Sequence, residues 1–133
     1  MSVGHRDVAV PLLPGSLSDL RQWTRGWLGR HPTGADPNDV LLAMTEAVTN
    51  SVRHGSPPVF VELTDDARNL RMEVTDGSDV LPRVPGEGQD QVGGRGLVLM
   101  EALTERWGVS LNTGGGKTVW CVFQPVPSGV SPA

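Results

Sequence analysis

Glu46 and Asn50 stand four residues apart in the run Met44-Thr45-Glu46-Ala47-Val48-Thr49-Asn50-Ser51-Val52-Arg53-His54. In a helix that spacing stacks both side chains on one side, so a carboxylate and an amide are presented together. The carboxylate can take a proton from a water or a hydroxyl, and the amide oxygen is a hard neutral ligand suited to Mg²⁺. The same two residues equally suit the solvated face of an amphipathic helix whose core stripe is Leu41, Met44, Val48 and Val52. Asp76 ends an apolar alternating run and precedes Gly77-Ser78-Asp79. It can accept a hydrogen bond from an exocyclic amine such as that of adenine, or simply make an Asp-Gly turn. Gly93-Gly94-Arg95-Gly96-Leu97 opens a predicted helix. There the glycines let backbone approach a ligand closely and the helix N–H groups attract phosphate oxygens; a flexible joint is the plain alternative.

Two familiar phosphate-binding patterns are excluded. Gly94-Arg95-Gly96 lacks a third glycine at Leu99 and no strand immediately precedes it, so it is not a dinucleotide fingerprint. Gly114-Gly115-Gly116-Lys117-Thr118 is not a Walker A loop, which needs a glycine where Leu111 stands and a helix after the Lys-Thr. The sequence after it, Val119-Trp120-Cys121-Val122-Phe123, is strand-like.

The elements that must position these groups follow from periodicity and punctuation. Val8 to Leu13, cut by Pro11 and Pro14, suits an edge strand. Ser16 caps a first helix to about Arg30, with Leu17, Leu20, Trp23, Trp27 and Leu28 on one broad face. Two of its tryptophans are expected on a surface serving as core or interface. His31-Pro32-Thr33-Gly34 breaks that helix, and Asp36-Pro37 starts a second that runs to His54 and ends at Gly55. Val59 to Thr64 and Leu70 to Thr75 read as an antiparallel hairpin with one buried face. A long loop from Asp76 to about Gly94, a short helix from Leu97 to Arg106 and a closing hairpin of Trp107 to Leu111 and Thr118 to Phe123 complete the chain. Hairpins outnumber crossover units, which predicts an α+β fold: a two-layer α/β sandwich, its mixed sheet mainly antiparallel, with helices on one face. One domain is expected over 1–124, with a disordered proline-rich tail at 125–133.

Composition narrows the classes. With 133 residues there is material for one core. A net charge of -4 argues against direct nucleic-acid binding, because phosphate neutralisation needs a basic field. The single cysteine, Cys121, excludes an internal disulfide and a cysteine-based zinc site, and His5, His31 and His54 show no ligand spacing. Cys121 lies in the apolar final strand and reads as a small buried side chain. The N-terminus has no apolar leader and no apolar run reaches about 18 residues, so a cytoplasmic protein without membrane attachment is expected.

Taken in order, Glu46-x-x-x-Asn50, Asp76-Gly77, Gly94-x-Gly96 and Gly116-Lys117-Thr118 resemble the N box and the three glycine boxes of the ATPase/kinase superfamily of gyrase, the heat-shock chaperone, histidine kinases and mismatch-repair ATPases (GHKL). The resemblance extends to its small bacterial branch, the anti-sigma factor serine/threonine kinases, in which a segment like Glu46-Ala-Val-Thr-Asn50-Ser-Val-Arg-His54-Gly55 is typical. It implies a Bergerat fold holding ATP with Mg²⁺. By position, Glu46 would be the general base toward a protein hydroxyl and Asn50 the Mg²⁺ ligand. Asp76 with Gly77 would read the adenine amine; Gly94, Arg95, Gly96 and Leu97 would wrap the phosphates; and Thr118 would support the adenine end together with Asp76. Arg53 and Arg95 are guanidinium candidates for phosphate oxygens, and His54 complements the helix dipole. The implied activity is phosphorylation of a STAS-domain anti-sigma-factor antagonist by a homodimer whose second partner is an RNA polymerase sigma factor. The alternative is a catalytically weak nucleotide-binding module that sequesters one of those partners. Ser78 departs from the family's Asp-x-Gly box, and the segment from Ser78 to Val92 is unlike its better-marked members.

Overall fold

The computed structural model describes residues 5–8, 17–31, 33–56, 59–66, 69–79 and 99–123. Two helices are complete. The first, α1 (Leu17–Arg30), carries Asp19 in its first turn and Arg30 in its last, each complementing the nearer end of the dipole. The second, α2 (Pro37–His54), starts where the Asp36 carboxylate accepts the Asn38 N–H at 2.9 Å and proline fills the first turn. It stops at Gly55, whose N–H returns to the Ser51 carbonyl at 2.8 Å.

Five strands follow the expected order: β1 (His5–Val8), β2 (Phe60–Asp66), β3 (Asn69–Asp76), β4 (Arg106–Leu111) and β5 (Lys117–Phe123). They form one sheet in the order β1-β2-β3-β5-β4, and every pairing is antiparallel. The α+β two-layer sandwich is therefore the observed architecture. β3 alternates strictly between buried and half-exposed positions, as a strand with one covered face must. Its buried residues Leu70, Met72 and Val74 join Val61 and Leu63 of β2 and Val119, Cys121 and Phe123 of β5. Leu20 and Trp27 of α1 and Val40, Met44 and Val48 of α2 close this core from the helical layer.

Several local expectations change. The edge strand is observed at His5–Val8, and residues 9–13 of the expected stretch lie outside the described residues. On α1, Trp27 is fully buried and Trp23 is partly buried against the core, so this face belongs to the interior. Thr24, a polar residue absent from the expected stripe, is buried beside them because its hydroxyl is satisfied by the Leu20 carbonyl at 2.8 Å and contacts the Met44 sulfur. On α2, Val52 is 49% exposed while Ser51 is buried. The buried face is centred on Val40, Ala43, Met44, Ala47, Val48 and Ser51, one side of the helix at 3.6 residues per turn, and Val52 lies beyond its edge. Arg106 begins β4 instead of ending a helix: helix occupies 99–103, and Glu105 already donates its N–H to the Val122 carbonyl at 2.8 Å. On the opposite face of the sheet the Arg71 guanidinium lies 4.7 Å from the Trp120 ring centroid. No helix among the described residues is long and apolar enough to cross a membrane.

Candidate functional site

The C-terminal end of α2, the end of β3 and the start of β5 converge on Asp76. Its side chain is completely buried although it lies at a strand terminus. One carboxylate oxygen, Oδ1, accepts the Ser78 N–H at 2.8 Å and the Lys117 ammonium at 3.0 Å. The other, Oδ2, is buried and has no hydrogen-bond partner among the described residues. A buried carboxylate oxygen without a donor costs free energy that a ligand donor would recover. Ser78, where a second glycine is usual in the resembled box, fits here because its N–H closes a two-residue turn onto Asp76.

Two glycines make this approach possible. At Gly55 an added Cβ would stand 2.5 Å from the Asp76 Oδ2 and 2.6 Å from the Ser51 carbonyl. A larger residue would fill the space against the unpartnered oxygen. The same connection is fixed by backbone, since Gly77 donates its N–H to the Ser56 carbonyl at 2.7 Å. Gly116 has φ +89° and lies against the Asp76 carbonyl, so both conformation and space exclude a side chain. Its N–H donates to Asp79 Oδ1 at 2.7 Å, tying the β4–β5 turn to the chain that leaves β3.

Glu46 and Asn50 are both half-buried on α2, one turn apart, and neither makes a side-chain hydrogen bond among the described residues. Gly77 follows Asp76 as an exposed residue. Gly94, Arg95, Gly96 and Leu97 lie outside the described residues, as does the side chain of His54; Arg53 is exposed. Thr118 is not brought to Asp76. It pairs in register with Thr75, shares a 2.8 Å hydrogen bond with that hydroxyl, and reaches the Asn112 Oδ1 at 3.3 Å. Strand alternation puts Lys117 on the Asp76 side of the sheet and Thr118 on the other. Lys117 and Gly55 are among the residues packed around Asp76 to which sequence reasoning gave no site role. Counting back from Cys121 in steps of two would have placed Lys117 on the buried face.

A match over most of the chain decides the family: the model of the histidine kinase-like ATPase domain matches residues 10–123. The chain belongs to the histidine kinase-like ATPase domain family. No curated protein matches it. Among solved structures, the chain is similar to the crystal structure of the RsbU and RsbW domains of Rv1364c from Mycobacterium tuberculosis, at 22% identity and a TM-score of 0.65. The likeness covers 90% of this chain and 32% of that one, so the chain spans about a third of that protein's length. At this identity the comparison speaks to the fold, which is that of the GHKL α/β sandwich.

As an ATPase-type domain the chain is an ATP-binding fold, and the Asp76 region suits that ligand. An unpartnered buried acceptor has the polarity that the amine of adenine requires, and a side chain at Gly55 would collide with it. No group of three or more His, Cys, Asp or Glu side chains among the described residues could hold a metal ion by itself. A neutral amide such as Asn50 fits the way Mg²⁺ is held on a nucleotide, with few protein ligands and oxygen donors from the polyphosphate.

Proposed function

We propose that the chain is an ATP-dependent serine/threonine protein kinase that acts as an anti-sigma regulatory factor by phosphorylating a STAS-type anti-sigma-factor antagonist. The observation that carries the nucleotide half of this reading is the buried, unpartnered Oδ2 of Asp76 beside a glycine whose missing side chain keeps that oxygen from being covered by a Cβ at 2.5 Å. The kinase half is supported by Glu46 and Asn50, half-buried and one turn apart on the helix that ends at that glycine. The resemblance of segment 46–55 to the anti-sigma kinases supports the choice of substrate.

Asp76 receives the adenine amine, and Gly94, Arg95, Gly96 and Leu97 follow the phosphates. Asn50 would hold the divalent ion, which would supply charge neutralisation at the polyphosphate. Glu46 takes the proton of a serine or threonine hydroxyl as its oxygen bonds to the γ-phosphorus; the bond from that phosphorus to the β–γ bridging oxygen breaks, and ADP leaves. A carboxylate without an internal hydrogen-bond partner is free to receive that proton. A new phosphate on the STAS protein changes its surface charge and hence which partner, antagonist or sigma factor, a kinase homodimer retains.

The test is a titration of the pure chain with ATP and Mg²⁺, followed by transfer of labelled γ-phosphate to candidate STAS proteins. Glu46→Ala is expected to keep ATP binding and lower transfer by roughly 10²–10⁴-fold. ATP binding with no transfer by the native chain would instead leave a nucleotide-dependent binding module. Absence of ATP binding would remove both readings.

A further inference from the structure

Lys117 is the only lysine in the sequence, and it is spent in the interior. As the first residue of β5 it pairs in register with Asp76, and its side chain is 6% exposed. Burial of an ammonium is tolerated when its hydrogen bonds are complete. Here they are not: of the three N–H donors on Nζ, one reaches Asp76 Oδ1, and no acceptor for the others is found among the described residues. Asp76 is incomplete in the matching sense, with Oδ2 unpartnered. The ion pair thus holds unused donors and an unused acceptor side by side in the interior.

We propose that Lys117 is a base-specificity residue that donates a hydrogen bond to ring nitrogen N1 of adenine while Asp76 Oδ2 receives the 6-amine. The inference rests on the ATP-binding reading and goes beyond it by naming the second contact. On its Watson–Crick edge adenine carries a donor, the amine, next to an acceptor, N1, which complements an adjacent carboxylate oxygen and ammonium. Hypoxanthine and guanine present a carbonyl and an N–H in those two places. In the same pose both contacts would set like against like in a dry site, a strong basis for rejection. With aspartate alone, only one of the two positions would be read.

The experiment compares ATP, 1-deaza-ATP, in which a C–H replaces N1, and purine riboside triphosphate, which lacks the amine. Binding of each is titrated against the native chain and against Lys117→Met and Lys117→Arg, with the melting transition recorded for every variant. The native chain is expected to bind 1-deaza-ATP roughly tenfold or more weakly than ATP. Lys117→Met should bind those two alike and still discriminate against the purine riboside nucleotide, while Lys117→Arg, which keeps a donor, should restore part of the N1 preference. Equal affinity of the native chain for ATP and 1-deaza-ATP overturns the proposal whether or not the variants fold. So does a Lys117→Met protein that keeps the full N1 preference. A native chain that binds ATP but ignores N1 defeats only the role of Lys117; one that binds no nucleotide defeats the ATP-binding reading itself.

Discussion

The two halves of the candidate site differ in how they are held. Around Asp76 each group is fixed by several others: Oδ1 by Ser78 and Lys117, the Gly77 N–H by Ser56, the Gly116 N–H by Asp79, and the space beside Oδ2 by the absence of a side chain at Gly55. On α2, Glu46 and Asn50 have position but no fixed partners among the described residues. If the Asp76 end reads the base as proposed, its being built in advance would cost little entropy when a rigid purine docks. On the proposed function, a reacting end that lacks fixed partners would be completed by the substrate and the metal, which would supply the missing contacts. Changes at the first end should therefore cost stability and binding together, whereas changes at the second should cost turnover, and at Asn50 the metal-dependent part of binding, without costing stability.

The sharpest break of this contrast is Asp76→Asn. It strands the Lys117 ammonium in the interior, and removal of one partner from a buried pair costs roughly 3–5 kcal/mol. The melting temperature should fall steeply and ATP binding should be lost. Asp76→Asn combined with Lys117→Met removes both charges and should recover part of the stability but none of the adenine binding. Thermal unfolding of the three proteins beside ATP titrations checks both halves of this statement.

Gly55→Ala comes next. A methyl group there meets the Asp76 carboxylate and the Ser51 carbonyl at 2.5 and 2.6 Å, so backbone or carboxylate must shift. Overpacking of this kind costs roughly 1–3 kcal/mol. ATP affinity should fall by more than the stability loss implies, because the displaced atom is the one the ligand needs. An unchanged ATP affinity in Gly55→Ala would show that Oδ2 is not the contact.

Much of this end was legible in the sequence, and what escaped did so for identifiable reasons. Asp76 stands out in the sequence only through the resemblance, since an Asp-Gly turn explains it equally well; its complete burial is what the structure adds. α2 was placed to the residue because Asp36-Pro37 and Gly55 are strong start and stop signals. Gly55 was then read as punctuation only, since a helix-ending glycine needs no other reason to exist and its neighbour across space is invisible from spacing. Lys117 was obscured by a resemblance to a phosphate loop and by Thr118 beside it. The side of the sheet each occupies depends on a register that begins one residue earlier than expected, at Lys117. Val52 and Thr24 escaped for one reason, the assumption that a buried stripe is wholly apolar, which passed over Ser51 and Thr24 on the covered faces.

A smaller effect separates the sheet beneath the base-reading end from the helix face. Cys121 lies on the same side of β5 as Lys117 and is fully buried, and burial pushes its thiol up to about 12 from an ordinary 9.0. The sign is fixed: the unfolded chain ionises first, so the stability this burial contributes is complete below pH 9 and declines as pH rises toward 12. Denaturant titrations from pH 7 to pH 11 should show a loss confined to the alkaline side, and Cys121→Ala should flatten it. At pH 8 the native thiol should resist alkylation, reacting only through opening of the sheet.

That thiol also measures the smallest expected effect, the stability change on removing the two α2 side chains. Glu46→Ala and Asn50→Ala delete half-buried groups that hold nothing else in place, and alanine is a better helix former than either. Both variants should unfold within roughly 0.5 kcal/mol of the native chain. Cys121 should then be alkylated at the native rate in both, while in Asp76→Asn the rate should rise in step with the lost stability. A destabilised Glu46→Ala, with faster labelling of Cys121, would mean that the carboxylate is part of the scaffold after all. The division between a rigid end that selects the base and an open end that transfers the phosphate would then have to be redrawn, with α2 as a single fixed wall.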